Sequence, residues 1–359
     1  MIAGMTRSLA LLPLVALLSG CGGAGGSEPS GSVAVVGAPT PTATPTPTPA
    51  TTPAPTATPT PTPAATPTPA PTGFTAQAAA LYTVQPSIAN CQAGQLTTTT
   101  TSTVLAELNA IRALHKLPAV TYSAADEPAA QAAALLQAAN DALSHTPPTS
   151  WKCYTALGAT GSGSSNLFGG YGNGLTLMTE DEVLAGWLTE TNNLVVDSVG
   201  HRRWLLYPFL GSVAYGRVAG ASPTQTRGDA SALKVIGNVG AGVANGTLPP
   251  YVAYPYQDYP ARYFSTSSLL SFGVIAGSTA NSSANSNVNF ANAVVTVRQR
   301  GGGTMTVSKQ TYDNQGYGLP NNLQFAVAGL QAGIYYDVTI TGVVVGGATQ
   351  SYSYYFRIV

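Results

Sequence analysis

Histidine is scarce in these 359 residues: His115, His145 and His201 are the full set. Imidazole is also the side chain best suited to move protons or ligate a metal near neutral pH. His145 follows an alanine-rich segment, and His201 opens a short apolar one. Glu190 lies shortly before His201, at the end of a stretch that carries Trp187. A carboxylate and two imidazoles can run general acid–base hydrolysis if the fold gathers them. Each also has a plainer role: His145 as a helix-end residue beside free carbonyls, Glu190 as a solvated carboxylate. His115, next to Lys116, reads as a surface residue. The sequence has no G-x-S-x-G elbow, no H-E-x-x-H and no phosphate loop ending in G-K-S/T, so none of those chemistries is signalled.

The elements that must position these residues alternate in texture. Val104, Leu105, Leu108, Ile111 and Leu114 recur at three- and four-residue steps behind a Ser/Thr run, which predicts a capped helix ended by Pro118. A second helix is expected from Glu127-Pro128 to Leu143 and Ser144. Gly158 to Gly174 reads as a glycine-rich loop. Thr179 and Glu182 make a capping box for a helix with Val183, Leu184, Trp187 and Leu188. A fourth helix is expected around Val199 to Tyr207, then strands at Ser212–Val218 and Leu233–Ile236. Beyond about Gly246 the helical period disappears. Val288 to Arg298, Thr304 to Lys309, Leu323 to Val327, Tyr335 to Val345 and Tyr352 to Ile358 alternate or run apolar between Gly, Asn and Pro turns, as the strands of a sandwich do. Tyr251, Tyr254, Tyr256 and Tyr259 are read as packing the domain junction rather than forming an open binding strip. Trp187 and Trp204 are read as core aromatics.

Several short motifs, in order, resemble the CAP superfamily (SCP/PR-1-like, the cysteine-rich secretory protein family). Asn109, Arg112 and Leu117-Pro118 are similar to its opening helix and loop, and Ser144-His145 to its first histidine. Ser164-Ser165-Asn166-Leu167 falls where the family has G-E-N-L. Trp187-Leu188-Thr189-Glu190 is similar to W-x-x-E, Gly200-His201-Arg202 to the second histidine, and Gly211–Gly216 to a strand ending in G-x-G. The resemblance spans about Leu105 to Ile236. It implies a central cleft lined by His145, Ser165, Glu190 and His201, with His145 and His201 as candidate ligands for a divalent metal such as zinc. Ser165 stands where the family has its first glutamate. Losing that carboxylate removes charge and a partner for a histidine, so metal binding is expected to be weak. The fold class implied is α+β: a CAP-type α-β-α sandwich followed by a C-terminal immunoglobulin- or fibronectin-like β-sandwich.

The N-terminus speaks to location. Arg7, the apolar run Leu9–Leu18 and Ser19-Gly20-Cys21 are similar to a lipoprotein signal whose cysteine is lipidated, and the run is too short to span a bilayer. Gly22 after the cysteine resembles outer-membrane sorting. Pro39 to Thr72 holds nearly half of the 27 prolines and no charge. Such a tract favours extended polyproline geometry, and at ~3.1 Å per residue it reaches roughly 100 Å. The expected organisation is a signal over 1–20, a lipidated N-terminus and stalk over 21–75, a CAP-like domain over 76–246 and a β-sandwich over 247–359. Setting Cys21 aside leaves Cys91 and Cys153, which form a disulfide in an oxidising compartment or stay as buried thiols. Charged residues make up 8% of the chain, 14 basic and 14 acidic, so no nucleic-acid partner is expected. The sequence reading is therefore an exported lipoprotein, anchored to a membrane at the outer membrane or cell surface. It binds a lipid or envelope ligand without catalysis. The alternatives are adhesion through the β-sandwich and a degenerate hydrolase using the His/Glu cleft.

Overall fold

The computed structural model describes residues 72–240 and 248–359. The signal segment, Cys21, nearly all of the Pro/Thr tract and the expected 246/247 boundary lie outside the described residues. The first part runs α1 (Phe74–Ala80), β1 (Tyr82–Val84), β2 (Gln95–Leu96), α2 (Thr98–Leu114), β3 (Thr121–Tyr122), α3 (Glu127–Asn140), α4 (Ala156–Gly163), β4 (Ser165–Tyr171), α5 (Glu180–Thr189), α6 (Gly200–Leu205), β5 (Ser212–Gly220) and β6 (Gly228–Lys234). Its main sheet has the order β3-β5-β6-β4. Register places Leu167, Gly216 and Ala232 on one face, where Leu167 and Ala232 pack against Ala133, Ala134 and Ala138 of α3. Tyr215 and Leu233 join the opposite core with Val104 and Leu108 of α2 and Leu184 and Trp187 of α5. Helices cover both faces, so this is the expected α-β-α sandwich.

Local chemistry explains the boundaries. Thr97 Oγ1 accepts the Thr100 N–H at 3.1 Å and starts α2. The Thr179/Glu182 capping box forms at α5 as expected. The second helix stops earlier than its apolar pattern suggested, at Asn140, because Asp141 turns left-handed (φ 45°). The expected loop over Gly158–Gly174 is instead α4 followed by β4. A Cβ on Gly161 would overlap the Ala129 carbonyl, and one on Gly158 would sit 2.8 Å from Leu136 Cδ1. The glycines here bring two helices into contact rather than loosening the chain. The Cys91–Cys153 disulfide is formed and closes a 62-residue separation, tying the β1–β2 region to the segment before α4.

The second part runs β7 (Tyr251–Tyr254), β8 (Gln257–Tyr259), β9 (Leu270–Val274), α7 (Ser283–Ser286), β10 (Val294–Gln299), β11 (Val307–Asp313), β12 (Asn322–Val327), β13 (Tyr335–Val345) and β14 (Ala348–Ile358). Two sheets form the expected β-sandwich, with orders β10-β13-β14-β8 and β11-β12-β9-β7. Along β13 and β14 burial alternates, whereas β9 and most of β12 are buried on both faces. In this second sheet β9 and β12 are covered on one side by the partner sheet and on the other by the α-β-α part, while the edge strand β11 is mostly exposed.

That covering is extensive, and one apolar core runs from Val104 and Trp187 through Tyr254 and Phe272 to Phe356. Arg203 grips Asp313 through Nη1 (2.8 and 3.0 Å) and donates to the carbonyls of Tyr317, Leu319 and Pro320. His115 corrects the sequence reading. It is 2% exposed rather than superficial, with Nδ1 2.9 Å from the Ala253 carbonyl and Nε2 3.0 Å from the Tyr259 hydroxyl. Its neighbour Lys116 turns away in a left-handed conformation (φ 57°), so only the lysine is at the surface. Tyr254 and Tyr259 are fully buried at this seam, against Arg202 and His115, and Tyr256 lies under Lys116. Tyr251 instead packs inside the sandwich against Phe272, Tyr352 and Tyr354 rather than at the junction.

Candidate functional site

Glu190 is the pivot of the expected cleft. It ends α5 in a left-handed conformation (φ 59°), which swings its side chain back under α6. Its carboxylate is 4% exposed and takes three donors: His201 Nδ1 at 2.8 Å, the Arg202 N–H at 2.9 Å and Asn193 Nδ2 at 2.9 Å. A carboxylate only accepts, so His201 donates from Nδ1, and in the neutral ring Nε2 is then the lone-pair nitrogen. The same logic holds at His145. Its Nδ1 lies 2.9 Å from the Ser162 carbonyl, again leaving Nε2 free. The loop that carries His145 is set by Gln137, fully buried in α3, which accepts from the Ser144 N–H and donates to Ser162 Oγ.

α6 is fixed from three sides. Arg112, fully buried, donates to the carbonyls of Pro118, Leu205 and Tyr207 and so caps the end of α6. Asn109 pins the same loop through the Val120 backbone. Arg202, 1% exposed, caps α5 through Leu188 and Thr189, stacks 3.7 Å over the Tyr254 ring, and reaches Leu269 and Ser271 of the sandwich. Burial lowers its pKa from the usual guanidinium value, and the carbonyl cage and ring face offset that cost.

The residue of β4 that touches this arrangement is Asn166, whose Nδ2 donates to the His201 carbonyl at 3.1 Å. Ser165 is 3% exposed, its hydroxyl has no partner, and by register it shares the sheet face of Lys234 and Ala214 toward α3. Glu190 and His201 are thus in direct contact, and Asn166 reaches the backbone of the same helix turn. Among the described residues no hydrogen bond links His145 or Ser165 to that pair. Sequence reading missed Asn166, although it is the next residue of the same motif, and it missed Gln137, which nothing in the pattern marks.

Just beyond Glu190 the chain becomes apolar and open. Asn193 hydrogen-bonds Glu190 and accepts the Val195 N–H. This presents Leu194, Val195 and Val196 with 78%, 65% and 83% of their surface exposed. Beneath them a cavity of about 230 Å³ lies between Glu190, Asp197 and the Ser267–Leu269 segment.

A three-layer α-β-α domain with a histidine held by the carboxylate at the end of the preceding helix defines the class. Residues 105–225 match the model of CAP, the cysteine-rich secretory protein family, and the chain carries a CAP domain. Comparison with the curated proteins finds no match.

The donor set tests the metal that this family implies. Zinc sites take four ligands, at least three from protein in the catalytic kind. Among the described residues no group of three or more His, Cys, Asp or Glu side chains could hold a metal ion. Glu190 is already engaged by its three donors, and Ser165 supplies no carboxylate. Two imidazole nitrogens do not make such a site, so no step is routed through a metal.

Proposed function

We propose that the chain is an envelope lipoprotein, tethered through Cys21, whose CAP domain binds an amphiphilic lipid or envelope ligand without turning it over. The observation that carries this reading is the join between Glu190 and the apolar loop. Asn193 links Glu190, which holds the His201 imidazole and lines the cavity, to three consecutive exposed aliphatic residues. Runs of exposed apolar side chains are unfavourable unless something covers them. A polar head can meet His201 Nε2 while an apolar tail rests on Leu194, Val195 and Val196. What weighs against catalysis is that, among the described residues, neither a nucleophile nor a second acid is hydrogen-bonded to the His201 ring.

Titration of a fluorescent polyene fatty acid into the purified protein tests the reading. Val196→Ser and His201→Ala are each expected to weaken binding about tenfold. Equal affinity in all three proteins overturns it, and hydrolysis of an ester analogue lost in His201→Ala points to the hydrolase instead. Calorimetry with Zn²⁺ is expected to give no difference among wild type, His145→Ala and His201→Ala. A clear loss in either variant restores the metal.

A further inference from the structure

The β10-β13-β14-β8 sheet keeps one face clear of the other layers, and what lies on it is not an ordinary solvated mixture. Charge is scarce in this chain. Within 248–359, Arg262, Lys309 and Asp313 pair with Glu107, Asp197 and Arg203 of the α-β-α part. The remaining charged residues, Asp258, Arg298, Arg300, Asp337 and Arg357, all belong to the free face. Register aligns them in rows. Arg298, Asp337 and Tyr355 stand opposite one another, as do Tyr335, Arg357 and Asp258 on the neighbouring row, and Thr296, Thr339 and Ser353 beyond. The Arg300 N–H joins the second row through the Tyr335 carbonyl.

Two of the three arginines on this face are held in place. Arg300 lies 4.8 Å from the Tyr335 ring and 5.2 Å from Tyr355, while Arg357 lies 4.5 Å from Tyr335 on the same platform. Each arginine is also held by a carboxylate, Arg300 by both oxygens of Asp337 and Arg357 by both oxygens of Asp258. Surface arginines ordinarily lose rotamer freedom on binding, and here that loss is already taken.

We propose that this face binds a polysaccharide, an uncharged or sparsely charged glycan laid across the strands. Three arginines against two aspartates leave a net charge of one, too little to hold a polyanion or an anionic membrane. Among the described residues, Val294 on β10 and Val359 just past β14 are the large aliphatic side chains of this sheet that are more than half exposed, which leaves little to drive an apolar interface. What remains is a flat array of paired donors and acceptors, hydroxyls and tyrosine rings. That array complements the alternating hydroxyls and C–H faces of sugar rings. Four strands spaced ~4.8 Å apart make it roughly 14 Å wide.

The test uses the intact chain with immobilised dextran, a β-1,4-glucan and an N-acetylhexosamine polymer as uncharged probes. Heparin and phosphatidylglycerol vesicles serve as anionic ones, each at low and high salt. Retention on at least one uncharged polymer, little changed by salt, is expected. It should weaken about tenfold in Tyr335→Ala and Arg300→Ala and persist in Tyr312→Ser, an exposed tyrosine of β11 on the other sheet. Asp337→Asn, which keeps the side-chain volume, should weaken retention without a change in melting temperature, separating a binding role from a folding one. Retention on none of the uncharged polymers overturns the proposal, as does retention on the anionic probes alone or equal retention of all the variants.

Discussion

Glu190 shows how one carboxylate serves both architecture and site, because its three donors come from a cleft histidine, a helix N-terminus and an apolar loop. Glu190→Ala leaves a buried N–H unpaired and frees the His201 ring, so a loss of about 2–4 kcal/mol is expected in urea unfolding. His115 makes the second prediction at this scale. Burial lowers its pKa to about 3, against about 6.5 in an unfolded chain. Between those values the unfolded state binds a proton that the folded state refuses. Stability is therefore complete above about pH 6.5 and falls with decreasing pH by about 1.4 kcal/mol per unit. His115→Gln should flatten that slope between pH 6.5 and 5, and an unchanged slope would assign the acid sensitivity elsewhere. The surface reading of His115 failed because sequence shows its charged neighbour but not the Ala253 and Tyr259 groups that arrive from the other domain.

Among the helices, α3 is the most buried, and the cost of its close packing falls on glycine. A Cβ on Gly216 would run into the Ala130 carbonyl. Gly216→Ala is expected to push α3 off β5 and cost about 1–3 kcal/mol, read as a shifted urea midpoint with an unchanged slope. Reducing the Cys91–Cys153 bridge should cost up to about 4 kcal/mol by the chain-entropy argument, seen as a lowered melting temperature in reductant. At this scale the sequence was most legible where the period and the cap agreed, as in α2 and α5, and where strands alternated, as in β13. It was least legible from Gly158 to Tyr171, where glycine's two uses, turning and close approach, look alike in one dimension. The site divides the same way. His201 and Glu190 could be read from their motifs, whereas Gln137 acts through a hydrogen bond to a loop whose position only the fold supplies.

For the whole molecule, the seam between the CAP domain and the sandwich decides how it behaves. A core that runs unbroken across it predicts one calorimetric transition for the described residues rather than two. A fragment ending before β7 should expose apolar surface and bind a hydrophobic dye. Two separated transitions would show the halves to be independent. Arg203→Ala, which strips the Asp313 pair and three carbonyl contacts, should lower the single transition without splitting it. The same seam has a mechanical meaning. A pull entering at Phe74 and resisted at the outer face of β13 and β14 crosses the seam at several points, two of them Arg202 and Arg203, side by side in α6. Adjacent to them in sequence is His201. Part of any tension on this molecule would therefore reach the helix that carries the imidazole held by Glu190, so an outer load is shared with the site itself.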